Sequence, residues 1–137
     1  HNIRIHDDDA RPLLERLPAA SIGRGFLLFS DPWPKTRHHK RRFVNAANLD
    51  ALARILKPGG EFRFASDDAG FVRWALAATL AHDGFDWTAK GPADWRERPP
   101  DAIATRYETK ALTEGRNCVY LRFQRNGSTP GPTPKKA

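Results

Sequence analysis

The chain has 137 residues and is 39% hydrophobic with eight Phe and four Trp, the size and apolar content of one domain with its own core. Its 23 Lys and Arg against 16 Asp and Glu give a formal charge of +7 and a pI near 10.1, a balance that favours a polyanionic partner, nucleic acid before a membrane surface. One cysteine excludes an intramolecular disulfide, no apolar run approaches the roughly 18 residues of a spanning helix, and the start HNIRIHDDD lacks the order of a signal peptide, so the cytoplasm is the expected location.

Asn2 to Ile5 alternates enough for a short strand, and the acidic turn His6 to Asp9 leads to Ala10 to Leu17, where Leu13, Leu14 and Leu17 fall at helical spacing. Asp9 is placed either to cap that helix or, standing after a strand, to meet a ligand. A loop over Pro18 to Arg24 follows. Gly25 to Phe29 is a continuous apolar run, which predicts a strand buried on both faces of a parallel sheet. Asp31 comes directly after it, clamped by Pro32 and Pro34, whose rings fix φ and cannot extend a strand. Ligands of open α/β sheets bind beyond the carboxyl ends of the strands, so Asp31 marks a candidate active-site edge.

Lys35, Arg37, Lys40, Arg41 and Arg42 fall within eight residues and run into a helical pattern over Arg41 to Leu56, whose apolar face includes Phe43, Ala46, Leu49, Leu52, Ala53 and Leu56. Cations at a helix amino end typically cost about 0.3 to 1 kcal/mol each unless an anion is present. The cluster therefore reads as a site held ready for phosphate, against the plainer alternative of a solvated basic face. His38 and His39 are adjacent, with no second pair at ligand spacing, so no metal site is expected.

Lys57-Pro58-Gly59-Gly60 stops the helix, and Glu61 to Ala65 predicts a strand ending at Ser66, Asp67 and Asp68, a pair placed to cap the next helix. Phe71, Trp74, Ala75 and Ala78 make that helix amphipathic until His82 to Gly84 breaks it before a strand over Phe85 to Lys90. In a right-handed crossover fold Asp31 and Asp67 end successive strands on one sheet edge. Gly91 to Ala104 reads as loop, Thr105 and Glu108 have capping-box spacing at the start of a helix ended near Gly115, and Arg106 and Tyr107 stand between them. Asn117 to Gln124 alternates as a half-buried last strand, pairing antiparallel with Phe85 to Lys90, with Cys118 in the core. Asn126 to Ala137 is rich in Gly, Pro, Ser and Thr and reads as a disordered tail after a domain over residues 1–125.

The string DPWPKTRHHKRR, followed by LKPGGEFRFASD and then TRYE, resembles the bacterial tRNA (guanine-N7)-methyltransferases, from about His1 to Arg125. The resemblance implies the class I, Rossmann-like methyltransferase fold, a doubly wound α/β sheet with an antiparallel last strand. It implies transfer of a methyl group from S-adenosyl-L-methionine to N7 of a guanine in the variable loop of tRNA. It further implies that Asp9 and Asp31 bind the cofactor, with Asp31 at the junction with the target base, and that Lys35, Asp67, Thr105, Arg106, Tyr107 and Glu108 contact the tRNA. Arg37, Lys40 and Arg41 are phosphate candidates beside Lys35, and Trp33 or Tyr107 could stack on a base, a buried Trp under the turn being the equal alternative for Trp33. The family places a glycine-rich loop and an acidic residue on two strands that would precede Asn2, and neither motif is in this sequence. The chain therefore reads as the carboxyl-terminal portion of a longer enzyme, in which the strand Asn2 to Ile5 would lack its neighbours. The competing class is a non-catalytic RNA-binding module that uses the same basic surface.

Overall fold

Local chemistry decides where the helices begin. In the computed structural model, which describes residues 2–128, Asp9, Asn45, Asp68 and Thr105 are the amino-terminal caps of α1 (Ala10–Arg16), α2 (Ala46–Ile55), α3 (Ala69–Leu80) and α5 (Arg106–Thr113). Each side chain accepts a backbone N–H from the first turn that would otherwise lack a partner. A further single turn, α4 (Ala93–Arg96), lies within the stretch expected to be loop. Pro92 precedes it, its fixed φ of −59° already suited to a helix start.

Four strands, β1 (Ile22–Leu28), β2 (Leu56–Ser66), β3 (Phe85–Trp87) and β4 (Val119–Arg125), form one mixed sheet in the order β1-β2-β4-β3. β1 runs parallel to β2, and β4 is antiparallel to both β2 and β3, of which the pairing with β3 is the one expected from the sequence. Phe62, Phe64, Leu121 and Phe123 on one sheet face meet Leu49, Leu52 and Ile55 of α2 and Phe71 and Ala75 of α3. Each such side chain, fully buried, contributes roughly 1.5 to 3 kcal/mol. On the opposite face Ala65, Cys118 and Tyr120 pack against Ala111 of α5, with Phe29 beside them. The lone cysteine is thus a core residue, its thiol pushed up in pKa chiefly by burial. His82 closes the end of α3 onto α2: Gly84 N donates to its Nδ1 at 3.0 Å, which leaves Nε2 to face Asp50 at 2.7 Å.

Several expectations need correction. Asn2 to Ile5 is not a strand: Ile3 and Ile5 are exposed, and no described strand pairs with this segment. A strand without a ladder partner has its backbone groups satisfied equally well by water, so alternation alone cannot hold it. β1 starts at Ile22 and is not buried on both faces: Phe26 and Leu28 are exposed on one face while Leu27 meets the core on the other. The helix expected from Arg41 begins at Ala46, where Asn45 caps it, and Thr36–Arg41 is a separate 3-10 helix. β3 ends at Trp87 rather than Lys90. The predicted tail begins with Asn126 held by the fold, its N donating to the Gly84 carbonyl at 3.0 Å. Residues 129–137 of that tail lie outside the described residues.

Candidate functional site

The parallel pairing of β1 with β2 brings two carboxylates to one edge. Leu28 is in register with Ala65, and the ladder continues through Phe29 N donating to the Ala65 carbonyl at 2.8 Å. Asp31 therefore follows the carboxyl end of β1 and Asp67 that of the neighbouring parallel strand β2, on one edge of the sheet, as the crossover argument requires. The backbone on either side of Asp31 is unusual, with Phe29 at φ 54° and Trp33 at φ 45°. Non-glycine residues in this left-handed region store strain that surrounding contacts must hold, and such residues cluster at ligand sites.

Those contacts come from Arg42. The sequence groups it with the solvent-facing cations, yet it is 3% exposed, with its guanidinium over Phe71 at 5.6 Å and Trp74 at 5.2 Å. Its Nε donates to the Pro32 carbonyl at 2.7 Å, tying the Asp-Pro-Trp-Pro turn to α3. Trp74 is fixed in turn by its Nε1 donating to the Val44 carbonyl at 2.7 Å. Nothing in a run of five cations distinguishes the buried one; the only signal is that Arg42 adjoins the apolar pair Phe43-Val44.

The remaining four cations, Lys35, Arg37, Lys40 and Arg41, are exposed. Lys40 and Arg41 stand at the carboxyl end of the 3-10 helix, where the dipole is negative, so the expected dipole cost does not arise for them, whereas Lys35 and Arg37 stand at its amino end. The case for anion binding rests instead on four exposed positive charges beside the carboxylate edge. Trp33 is half-buried beneath Arg41, whose guanidinium lies 5.0 Å from the ring centroid, with His38 edge-on at 5.7 Å. Ser30 Oγ is buried with no hydrogen-bond partner. Beside it Asp31 is exposed and engages no other described residue. An orphaned hydroxyl next to an unengaged carboxylate is a donor set suited to a cationic ligand that also carries hydroxyls.

Asp67 is half-exposed in a cleft of about 820 Å³ shared with Trp95, Arg96, Arg116 and Cys118. Arg116 Nε donates to its Oδ2 at 2.6 Å, and Arg116 also bridges to Glu114, partners that raise the guanidinium pKa. Asp68, not Asp67, is the cap of α3, accepting from Phe71 N at 2.8 Å. Asp9 caps α1, and its carboxyl is lowered to about 2, first by the side-chain hydrogen bonds from Arg11 and then by the Arg11 backbone N–H.

Thr105 accepts from Glu108 N at 3.1 Å, which is half of a capping box. The other half is missing. Glu108 is 3% exposed and turns away, so that its Oε2 accepts from Arg98 Nη1 at 2.5 Å. Arg106 and Tyr107 face solvent, Tyr107 at 68% exposure. Thr105, Glu108, Arg98, Phe29, Ala65 and Tyr120 are among the residues that line a cleft of about 280 Å³ on the sheet face below the carboxylate edge. Arg98 and Arg116 carry no periodicity or capping signal, and their partners lie 10 and 49 residues away, so the sequence marks neither. No group of three or more His, Cys, Asp or Glu among the described residues is arranged to hold a metal ion, and no described helix is long and apolar enough to cross a membrane.

Residues 1–121 match the model of a family described as "Putative methyltransferase". The tRNA (guanine-N(7)-)-methyltransferase of Rhodospirillum rubrum is 53% identical over 131 residues, covering 96% of this chain and 51% of that protein. The one from Roseobacter denitrificans is 57% identical over 124 residues, covering 90% of this chain and 53% of that protein. The chain thus spans about half the length of the curated relatives it matches. Among solved structures, the "Putative DNA Modification Methylase" of Thermus thermophilus aligns at TM-score 0.49 and 21% identity, over 93% of this chain and 56% of that one.

Proposed function

The chain belongs to the methyltransferase family whose model it matches over residues 1–121, and from that membership we propose that it is the carboxyl-terminal part of a cytoplasmic enzyme that methylates N7 of a guanine in the variable loop of tRNA. The observation that carries the proposal is the sheet edge where Asp31 and Asp67 end adjacent parallel strands beside four exposed cations. The names of the relatives from Rhodospirillum rubrum and Roseobacter denitrificans support the same substrate.

S-adenosyl-L-methionine, when bound, supplies a methyl group on a positively charged sulfur. Ser30 and Asp31 are the residues of this chain suited to hold it, and Asp9 is a further candidate contact. Guanine N7 carries a free lone pair at neutral pH, so the chain needs no general base and its task is positioning. The purine gains positive charge as the N7–carbon bond forms, and the Asp31 carboxylate would stabilise that charge. Asp67 is suited to accept from the N–H edge of guanine. Lys35, Arg37, Lys40 and Arg41 meet backbone phosphates, with Thr105, Arg106 and Tyr107 forming a second contact on the RNA, where exposed Tyr107 offers a stacking face.

The test is methyl transfer by the parent protein to unmodified tRNA, followed by nuclease digestion and identification of the methylated nucleoside. The expected product is 7-methylguanosine at one position. A methyl group on another atom, or no transfer to tRNA, would overturn the reading.

A further inference from the structure

Glu108 lies in a segment that faces a polyanion on the reading above, yet the carboxylate is withdrawn. It is 3% exposed, Arg98 Nη1 donates to its Oε2 at 2.5 Å, and Tyr120, itself buried, faces it from β4. The Tyr120 hydroxyl is raised in pKa by burial first and by the Glu108 carboxylate second, as expected for a phenol beside a negative charge. Arg98 is the outer member of the pair. Its side chain is 40% exposed and lines both the 280 Å³ cleft and a second cavity of about 550 Å³ shared with Lys90 and Arg122. For Glu108 to reach the RNA, its hydrogen bond from Arg98 would have to break and the carboxylate would have to leave its buried position.

We propose that Glu108 is a positioning residue and that Arg98, which it holds against the first turn of α5, is the member of the pair that touches the RNA, at a phosphate. The proposal rests on tRNA being the substrate. A guanidinium with one Nη engaged by a buried carboxylate keeps its other N–H groups in a fixed fork, the geometry that suits phosphate oxygens. The sign of charge agrees, because an exposed guanidinium attracts a polyanion that an exposed carboxylate would repel.

The experiment compares tRNA binding across a salt series for the parent protein and its Arg98→Ala, Arg98→Lys, Glu108→Gln and Arg98→Ala/Glu108→Gln variants, with thermal melts alongside. Arg98→Ala is expected to weaken binding and reduce the log-log salt slope by about 1, and Arg98→Lys to restore most of the slope. Removing a negative charge would by itself tighten binding to RNA. Glu108→Gln is nevertheless expected to weaken it, with no further loss when added to Arg98→Ala. An unchanged slope in Arg98→Ala, or a Glu108→Gln loss that persists in the Arg98→Ala background, would overturn the proposal and return Glu108 to direct contact with the tRNA. If Glu108→Gln melts below the assay temperature, the Arg98→Ala and Arg98→Lys slopes decide alone. Methyl transfer by the unaltered protein is scored separately, so loss of the methyltransferase reading would be distinguishable from loss of this one.

Discussion

Arg42 donates from Nε to the carbonyl of Pro32 at 2.7 Å, ten residues back along the chain, and by this bond a buried guanidinium holds the turn that carries Asp31. Removing it leaves a carbonyl without a donor and two aromatic rings without their cation. Arg42→Ala should therefore cost about 2 to 4 kcal/mol, from a charged hydrogen bond and two cation–π contacts together. Arg42→Lys should recover only part, since an ammonium cannot donate to Pro32 and lie flat over Trp74 at once. Urea denaturation of the two variants checks this, and an unchanged midpoint for Arg42→Ala would mean that the turn is held by other contacts.

Asp31→Asn should lower the single-turnover rate of methyl transfer about 10²-fold or more while leaving tRNA affinity nearly unchanged, because the amide keeps shape but removes the charge that faces the cationic purine. Rates measured at saturating tRNA separate the two effects. An unchanged rate would reduce Asp31 to a turn residue.

Replacing Lys35, Arg37 and Arg41 together by Ala should flatten the salt dependence of tRNA binding by roughly 2 to 3 units of log-log slope, if each meets one phosphate. All three are exposed and carry no carboxylate partner among the described residues, so their loss should leave stability nearly untouched. An unaltered slope would identify the cluster as a solvated face.

What can be read from the sequence follows the range of the interaction that decides it. α3 and α5 are legible because their caps, Asp68 and Thr105, act within three residues of the helices they start. The placing of Asp31 and Asp67 on one edge is legible too, because crossover handedness constrains successive parallel strands. The exposure of Phe26 and Leu28 is not, since an apolar run does not say whether both of its faces are covered. Arg42 reads as a surface cation because its burial depends on Phe71 and Trp74, about 30 residues away. The withdrawal of Glu108 from the surface is not legible either, because its partner Arg98 lies in a loop with no periodicity to predict its fold.

Acid should weaken the fold in a definite window. The Arg11 side chain, through its hydrogen bonds, holds the Asp9 carboxyl at about 2 against an ordinary 3.8, and a hydrogen bond from Arg63 lowers that of Asp101. Both carboxyls are depressed in the folded state, so their contributions are fully present above about pH 4 and are lost as pH falls toward the folded values. Asp9→Asn retains a capping side chain but not the charge, so it should lower stability modestly at pH 7, flatten the profile between about pH 4 and pH 2, and converge with the unaltered protein at the acid end. Chemical denaturation at a series of pH values reads this directly, and a parallel profile for the variant would exclude Asp9 as a source of the acid sensitivity.

The two glycines of Lys57-Pro58-Gly59-Gly60 should respond unequally to alanine, although the sequence presents them as one helix stop. Gly59 has φ 83° and open space around a would-be Cβ, so Gly59→Ala meets only the left-handed backbone penalty of about 1 to 2 kcal/mol. At Gly60 a Cβ would stand 2.8 Å from the Lys57 carbonyl oxygen and 2.9 Å from that of Gly23, and both are backbone atoms that cannot rotate aside. This is where β1 and β2 change register, with Ile22 opposite Leu56 and Arg24 already opposite Glu61. Gly60→Ala must therefore part the two strands locally, at about 2 to 3 kcal/mol or more. The same pairing sets Asp31 beside Asp67, so a shift here should also lower methyl transfer in the parent protein beyond what the lost stability explains. Denaturation midpoints should fall further for Gly60→Ala than for Gly59→Ala; the opposite order would mean that the bulge relaxes freely and does not determine how the two carboxylates meet.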